Sequence, residues 1–83
     1  MKTIESGMEM ALAELPVGMS AKVIALGENL RGRKKFADLG VVPGMTLAMQ
    51  AHAPFGSLLR IKVMGSTIAL HSNEGKNILV QSC

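Results

Sequence analysis

The sequence contains no tryptophan, no tyrosine and only two phenylalanines. Small β domains that bind single-stranded nucleic acid usually stack bases on strand aromatics, so this mode of recognition is nearly excluded. Hydrophobic residues still make up 48% of the 83 residues, so the core must consist of Val, Ile, Leu, Met and Ala. A chain of this length forms one domain with a thin core, which leaves little room for a deep catalytic cleft.

Cysteine and long apolar runs are also scarce. The single Cys83 cannot form an intramolecular disulfide, whereas a secreted domain this small often depends on several, which favours a reducing compartment. No apolar run approaches the ~18 to 20 residues that cross a bilayer, and the N-terminus lacks the pattern of a signal peptide. We expect a soluble, cytoplasmic protein that is not inserted in the membrane.

Residue types that perform catalysis are few. There are two histidines and one aspartate, Asp38, and no glycine-rich motif of the P-loop type. A Ser-His-Asp arrangement cannot be argued from this set. The sequence therefore predicts a protein that is not an enzyme and that needs no cofactor.

Alternation of apolar and polar residues predicts five short strands, at 20–26, 45–53, 58–64, 67–71 and 77–81. Residues 1–11 show no sustained period, so we expect a flexible N-terminal arm followed by one domain at 12–83. Leu12 and Leu15 begin the domain as core residues. The predicted core also includes Phe36, Leu39, Leu47, Ile61, Val63, Ile68, Leu70 and Ile78.

Glycines and prolines mark the connections. A short helix from Leu30 to Leu39 is predicted, with Asn29 as N-cap and Gly40 closing it in the left-handed region. Pro43-Gly44 is typical of a type II turn, and Gly65-Ser66 of a type II′ hairpin turn. Residues 72–75 could form a single helical turn. Five strands and one short helix predict a mainly β fold, a small closed or nearly closed antiparallel barrel.

Basic residues are concentrated in one place, because Arg31, Arg33, Lys34 and Lys35 fall within five positions. The cluster fits a docking face for an acidic protein, a phosphate-contacting patch, or the solvated side of a helix. An apolar strip at Val41, Val42 and Phe55 fits either an interaction patch or packing at the end of the barrel.

Two histidines on predicted strands, His52 and His71, could in principle bind a transition metal together with Cys83. Their spacing matches no ligand pattern. The simpler interpretation is that both imidazoles lie on the barrel wall and that Cys83 is a free thiol, so no metal site is predicted.

Several segments resemble one known family: 12–18 (LAELPVG), 39–44 (LGVVPG), 68–70 (IAL) and 78–80 (ILV). Together they resemble FeoA proteins and the related C-terminal domains of iron-dependent repressors. The resemblance implies an SH3-like barrel without catalytic activity, which serves bacterial ferrous-iron uptake by contacting the cytoplasmic GTPase domain of the FeoB permease. The sequence departs from the pattern at His71, where Arg is usual, at 56–58, where Gly-Asp-Pro is common, and at Gly75, where Ala is frequent.

The leading hypothesis is therefore a binding module that docks on the FeoB GTPase domain and reaches the inner membrane only through that partner. The predicted contact residues are Arg31, Arg33, Lys34, Lys35, Val41, Val42, Pro43 and Gly44. The alternative is a metal-responsive or nucleic-acid-associated regulatory domain, although no nucleic-acid partner is expected. A third candidate is a homodimer formed through exposed strand edges.

Overall fold

The computed structural model describes residues 7–27, 32–53 and 57–83, which form a mainly β domain. In chain order its elements are β1 (Glu9–Ala11), a 3₁₀ turn (Leu12–Glu14), β2 (Ser20–Leu26), α1 (Arg33–Asp38), β3 (Thr46–His52), β4 (Leu58–Val63), β5 (Ser66–His71), α2 (Ser72–Gly75) and β6 (Ile78–Ser82). Six antiparallel strands form one sheet in the order β1-β6-β2-β3-β4-β5. Within the described ranges, β1 and β5 are the two edges, so the sheet is not closed.

The prediction of five strands is wrong by one, because β1 lies inside the segment that we expected to be a flexible arm. Met10 is buried and opposes Val80 of β6, and the Gly7 amide donates to the Ser82 carbonyl at 2.7 Å. Three residues are too few to show a period. The strand is stabilised by pairing with residues some seventy positions away, which local patterning does not reveal. Residues 1–6 of the predicted arm lie outside the described residues.

Alternation in the middle of the chain predicted β3 and β4 correctly. Leu47 and Met49 are buried on β3, and Leu59, Ile61 and Val63 are buried on β4. The polar residues between them face solvent, as expected when one face of a sheet covers the core. The predicted helical turn at 72–75 is confirmed as α2, so the fold has a second short helix.

The turn between β4 and β5 lies one residue earlier than predicted. Val63 pairs with Ser66, so the two central residues are Met64 and Gly65. Both have positive φ, 53° and 78°, as a type I′ turn requires, whereas a II′ turn at Gly65-Ser66 was expected. The I′ geometry follows the right-handed twist of the paired strands, and the favourable glycine occupies the second position instead of the first.

One continuous core fills the space beneath the sheet, and most of the predicted core residues belong to it. Leu39 does not, because its side chain is 40% exposed. The buried hydrophobic residues are Met10, Leu12, Leu15, Ala21, Val23, Phe36, Val41, Leu47, Met49, Leu59, Ile61, Val63, Ile68, Leu70, Ile78 and Val80.

Candidate functional site

The helix α1 presents three cations to solvent. It spans Arg33–Asp38, shorter than the predicted Leu30 to Leu39, because Gly32 at its N-cap has a left-handed φ of 75° that interrupts helical geometry. Arg33, Lys34 and Lys35 are exposed, whereas Phe36 is buried and attaches the helix to the core. The predicted N-cap Asn29 and the predicted contact residue Arg31 lie outside the described residues.

The C-terminal end of α1 explains why Val41, predicted to contact a partner, is instead buried. The Gly40 amide donates to the Ala37 carbonyl at 3.1 Å, and the Val41 amide donates to the Phe36 carbonyl at 2.8 Å. This pair of bonds is the Schellman motif, in which the residue after the left-handed glycine turns back against the last turn of the helix. Val41 thereby takes the core position that we had assigned to Leu39, and Leu39 faces solvent.

After Val41 the chain turns sharply at Pro43-Gly44, as predicted. The Met45 amide donates to the Val42 carbonyl at 3.1 Å, and Gly44 has the φ of 94° that a type II turn requires at its third position. The Gly44 amide also donates to the Val23 carbonyl at 2.8 Å, which fixes the turn against β2. Pro43 and Gly44 are exposed and Val42 is half-buried, so these three predicted contact residues remain accessible.

The tip of the β4–β5 hairpin contributes a residue that the sequence reasoning missed. Met64 is 70% exposed, and its sulphur covers Gly40 at the end of α1. The apolar alternation of β4 extends the predicted strand through Met64 and so predicts an outward-facing strand residue. Correct placement of the turn at Met64-Gly65 would have been the signal for an exposed apolar residue at a hairpin tip.

The cations of α1 have no partners within the described part of the chain. Arg33, Lys34 and Lys35 make neither an ion pair nor a side-chain hydrogen bond there. Adjacent like charges repel one another, and an approaching carboxylate surface relieves that repulsion. We use the name docking surface for the accessible residues of the predicted contact segment together with the exposed Leu39; its members are Arg33, Lys34, Lys35, Leu39, Val42, Pro43 and Gly44.

The three residues of the alternative metal site are not brought together. No group of three or more His, Cys, Asp or Glu with metal-binding geometry occurs among the residues that the structure describes. His52 Nε2 donates to the Leu15 carbonyl at 2.8 Å, which ties β3 to the segment after the 3₁₀ turn. His71 ends β5 and is the N-cap of α2, and its backbone amide donates to Glu74 Oε1 at 2.8 Å. Cys83 is an exposed free thiol, and its amide donates to the Ser20 carbonyl.

In the described ranges, no helix has the length and apolar character needed to cross a membrane.

The fold defines a small SH3-like β domain with a basic helix on its surface. Residues 10–82 match the model of the FeoA domain, which is nearly the whole chain. The chain belongs to the FeoA family. This membership supports a role in ferrous-iron transport.

Solved structures agree with this assignment. The FeoA protein of Chlorobium tepidum is 30% identical with a TM-score of 0.82, and the match covers 88% of this chain and 70% of that one. The FeoA of Stenotrophomonas maltophilia, crystallised with zinc and described as a prokaryotic SH3 domain protein, is 32% identical with a TM-score of 0.75, over 87% of this chain and 89% of that one. A search of curated protein sequences gave no significant match.

The fold also occurs in a manganese-dependent transcriptional repressor in complex with manganese. The TM-score is 0.82, but the identity is 21%, and the match covers 90% of this chain and 37% of the repressor. At this identity the likeness shows the fold alone.

Proposed function

We propose that this protein is a non-enzymatic accessory of bacterial ferrous-iron uptake that acts in the cytoplasm. It binds the cytoplasmic GTPase domain of a FeoB-type permease and so supports or regulates transport. Membership in the FeoA family supports this proposal, as does the Stenotrophomonas maltophilia relative, which its crystal structure describes as a candidate activating factor of ferrous-iron transport.

The observation that carries the docking part of the proposal is the unpaired charge of α1. Arg33, Lys34 and Lys35 are exposed on consecutive positions, without ion pairs in the described chain, and the turn at Pro43-Gly44, which is hydrogen-bonded to β2, follows α1 in the chain. Charges at the rim of an interface orient the partner and accelerate encounter, whereas apolar contacts at the centre supply most of the affinity. The docking surface combines charged and apolar residues, so it is suited to bind an acidic protein that has an apolar recess.

Nuclear magnetic resonance titration tests the proposal directly. The ¹⁵N-labelled protein is titrated with the isolated GTPase domain of the FeoB partner, once without nucleotide and once each with GDP and a non-hydrolysable GTP analogue. We expect amide shifts to cluster on residues 33–44. Absence of shifts at high micromolar partner in all three nucleotide states would contradict direct contact with this domain.

The repressor-like alternative rests on the fold alone, so we do not propose it as a function. Two inexpensive measurements keep it separate from docking. A domain that acts on DNA would bind duplex DNA with an affinity that falls steeply with salt concentration, and a metal-responsive domain would bind a stoichiometric amount of manganese or iron. A homodimer would be detected by sedimentation equilibrium.

A further inference from the structure

Met64 occupies a backbone conformation that suits it poorly. It is the first central residue of the type I′ turn between β4 and β5, with a φ of 53°, and it is the one non-glycine residue with positive φ among those the structure describes. Gly, Asn and Asp are favoured at this position. Glycine has no β-carbon to approach the following carbonyl oxygen, and the short polar side chains of Asn and Asp form local hydrogen bonds that offset this close approach. A methionine here therefore lowers the stability of the hairpin.

The side chain of Met64 is also exposed to solvent, which is unfavourable for an apolar group. At 70% it is the most exposed large hydrophobic residue of the described chain, ahead of Val17 at 56% and Leu58 at 43%. Single exposed hydrophobic residues are ordinary on protein surfaces. The combination with a left-handed backbone is not ordinary, and non-glycine residues held in such conformations are concentrated at functional sites.

The position of Met64 joins it to the docking surface. Its sulphur lies 2.6 Å from the point where a β-carbon of Gly40 would be, so the thioether rests on the backbone at the end of α1. Leu39, 40% exposed, directly precedes Gly40. The hairpin tip therefore contacts the C-terminal end of the helix that carries Arg33, Lys34 and Lys35, one residue after the exposed Leu39.

We infer that Met64 is the apolar anchor of the docking surface and inserts into an apolar recess on an acidic partner protein. This inference rests on the proposed function and names a contact residue that the basic cluster and the Leu39 to Gly44 segment do not include. The thioether is flexible and polarisable, so it fits recesses of irregular shape. Well-packed apolar anchors surrounded by charged residues are typical of the centres of protein interfaces.

Charge decides between a partner protein and a second copy of this chain. Two copies that met through this surface in a symmetric dimer would bring the cations of both α1 helices together, because a two-fold interface opposes the same patch on both subunits. The described chain provides no ion pairs to these cations that would offset the repulsion. A partner that carries carboxylates around an apolar recess satisfies both the helix and the methionine.

The test compares two substitutions at Met64 with one matched control. M64N removes the apolar side chain but suits the left-handed backbone, and M64Q keeps the length of the side chain. L58Q makes a similar change at the far end of β4, where Leu58 is 43% exposed. Binding to the isolated GTPase domain is measured by calorimetry, and thermal unfolding by circular dichroism.

We expect M64N and M64Q to bind roughly tenfold more weakly than the wild type, as is usual for the loss of an interface anchor. M64N unfolds at or above the wild-type midpoint, so the loss of affinity does not come from unfolding. L58Q binds as the wild type does.

If the wild type binds and M64N binds with the same affinity, this inference alone is overturned and the proposed function stands. An equal loss in L58Q would overturn it as well, because the effect would then not be specific to the hairpin tip. A change in self-association instead of partner binding would overturn the assignment to a partner. Absence of wild-type binding would overturn the proposed function and the inference together.

Discussion

Met64 and Gly40 are in direct contact, although they belong to different parts of the chain. The thioether of the hairpin residue covers the glycine that ends α1, and any side chain at position 40 would meet it. Gly40 is also left-handed, with a φ of 98°, and its amide donates to the Ala37 carbonyl. Gly40 thus closes the helix and also provides the flat backbone on which the hairpin tip rests.

The substitution G40A separates these two roles. Alanine in a left-handed conformation is strained, so we expect a loss of roughly 1–2 kcal/mol in the free energy of unfolding. The sulphur of Met64 is at the flexible part of its side chain and can move aside, so the double variant G40A/M64A recovers little of that loss. Urea denaturation measures both. Wild-type stability in G40A would show that the Schellman closure does not depend on glycine.

Replacement of a second glycine, Gly75 in α2, by alanine is also expected to destabilise the protein, but for a different reason. A β-carbon there would lie 2.5 Å from Leu59 Cδ1 and 3.3 Å from the backbone nitrogen of Ala13. Helix propensity alone predicts that G75A stabilises by about 0.5–1 kcal/mol, whereas overpacking of a core costs typically 1–3 kcal/mol. Packing outweighs propensity here, so we predict net destabilisation in urea denaturation.

Shortening the neighbour tests that explanation. We expect G75A/L59V to be more stable than the sum of the two single changes by about 0.5 kcal/mol or more, because the valine lacks the δ carbon that clashes. Additive effects would mean that the contact with Leu59 is not the cause. The outcome also bears on why this chain has glycine where the FeoA pattern frequently has alanine.

Ser82 connects β6 to Met8, the residue just before β1. Its side chain is 3% exposed, and Ser82 Oγ accepts a hydrogen bond from the Met8 amide at 2.9 Å. S82A removes this acceptor from a partly buried amide, which costs roughly 1–3 kcal/mol. We expect faster hydrogen exchange of the amides of Glu9–Ala11 in the native state. Q81A is the control, because Gln81 Nε2 donates to the Gly7 carbonyl at an exposed site. Unchanged hydrogen exchange in S82A would contradict the prediction.

The charge of α1 is tested by a double charge reversal, compared with a control variant whose net charge changes by the same amount. K34E/K35E should weaken binding to the GTPase domain about tenfold at low salt, and the difference from the wild type should diminish as salt screens the charges. R60E/K76E reverses two exposed cations on β4 and after α2, and we expect near-normal affinity. Equal losses in both variants would indicate a general field effect instead of a contact through α1.

The strands of the middle of the chain were predictable because their pattern is local. Along β3 and β4 each buried residue is two positions from the next, and the burial of Leu47, Ile61 and Val63 agrees with that period. The type II turn at Pro43-Gly44 was equally legible, since proline and glycine each favour one of its two central conformations. No such pattern marked β1, which among the described strands pairs with β6 alone.

The candidate site was predictable in part. The basic residues of α1 are exposed, as expected for charged residues on a short helix, but the roles of Leu39 and Val41 were exchanged. The reason is geometric, because the left-handed Gly40 reverses the direction of the chain and thereby determines which of its neighbours faces the core. The left-handed Gly40 was predicted, but helical periodicity extended through Leu39 does not indicate which of its neighbours packs on the core.

By itself, the sequence determined the mainly β character, the thin aliphatic core, the basic helix and the resemblance to FeoA, since composition, period-two alternation and short motifs are properties of neighbouring residues. Only the tertiary structure decided that Glu9–Ala11 adds a sixth strand, that Val41 is buried and that Met64 covers Gly40. These features arise from contacts between residues far apart in the chain, where packing and twist override local preference.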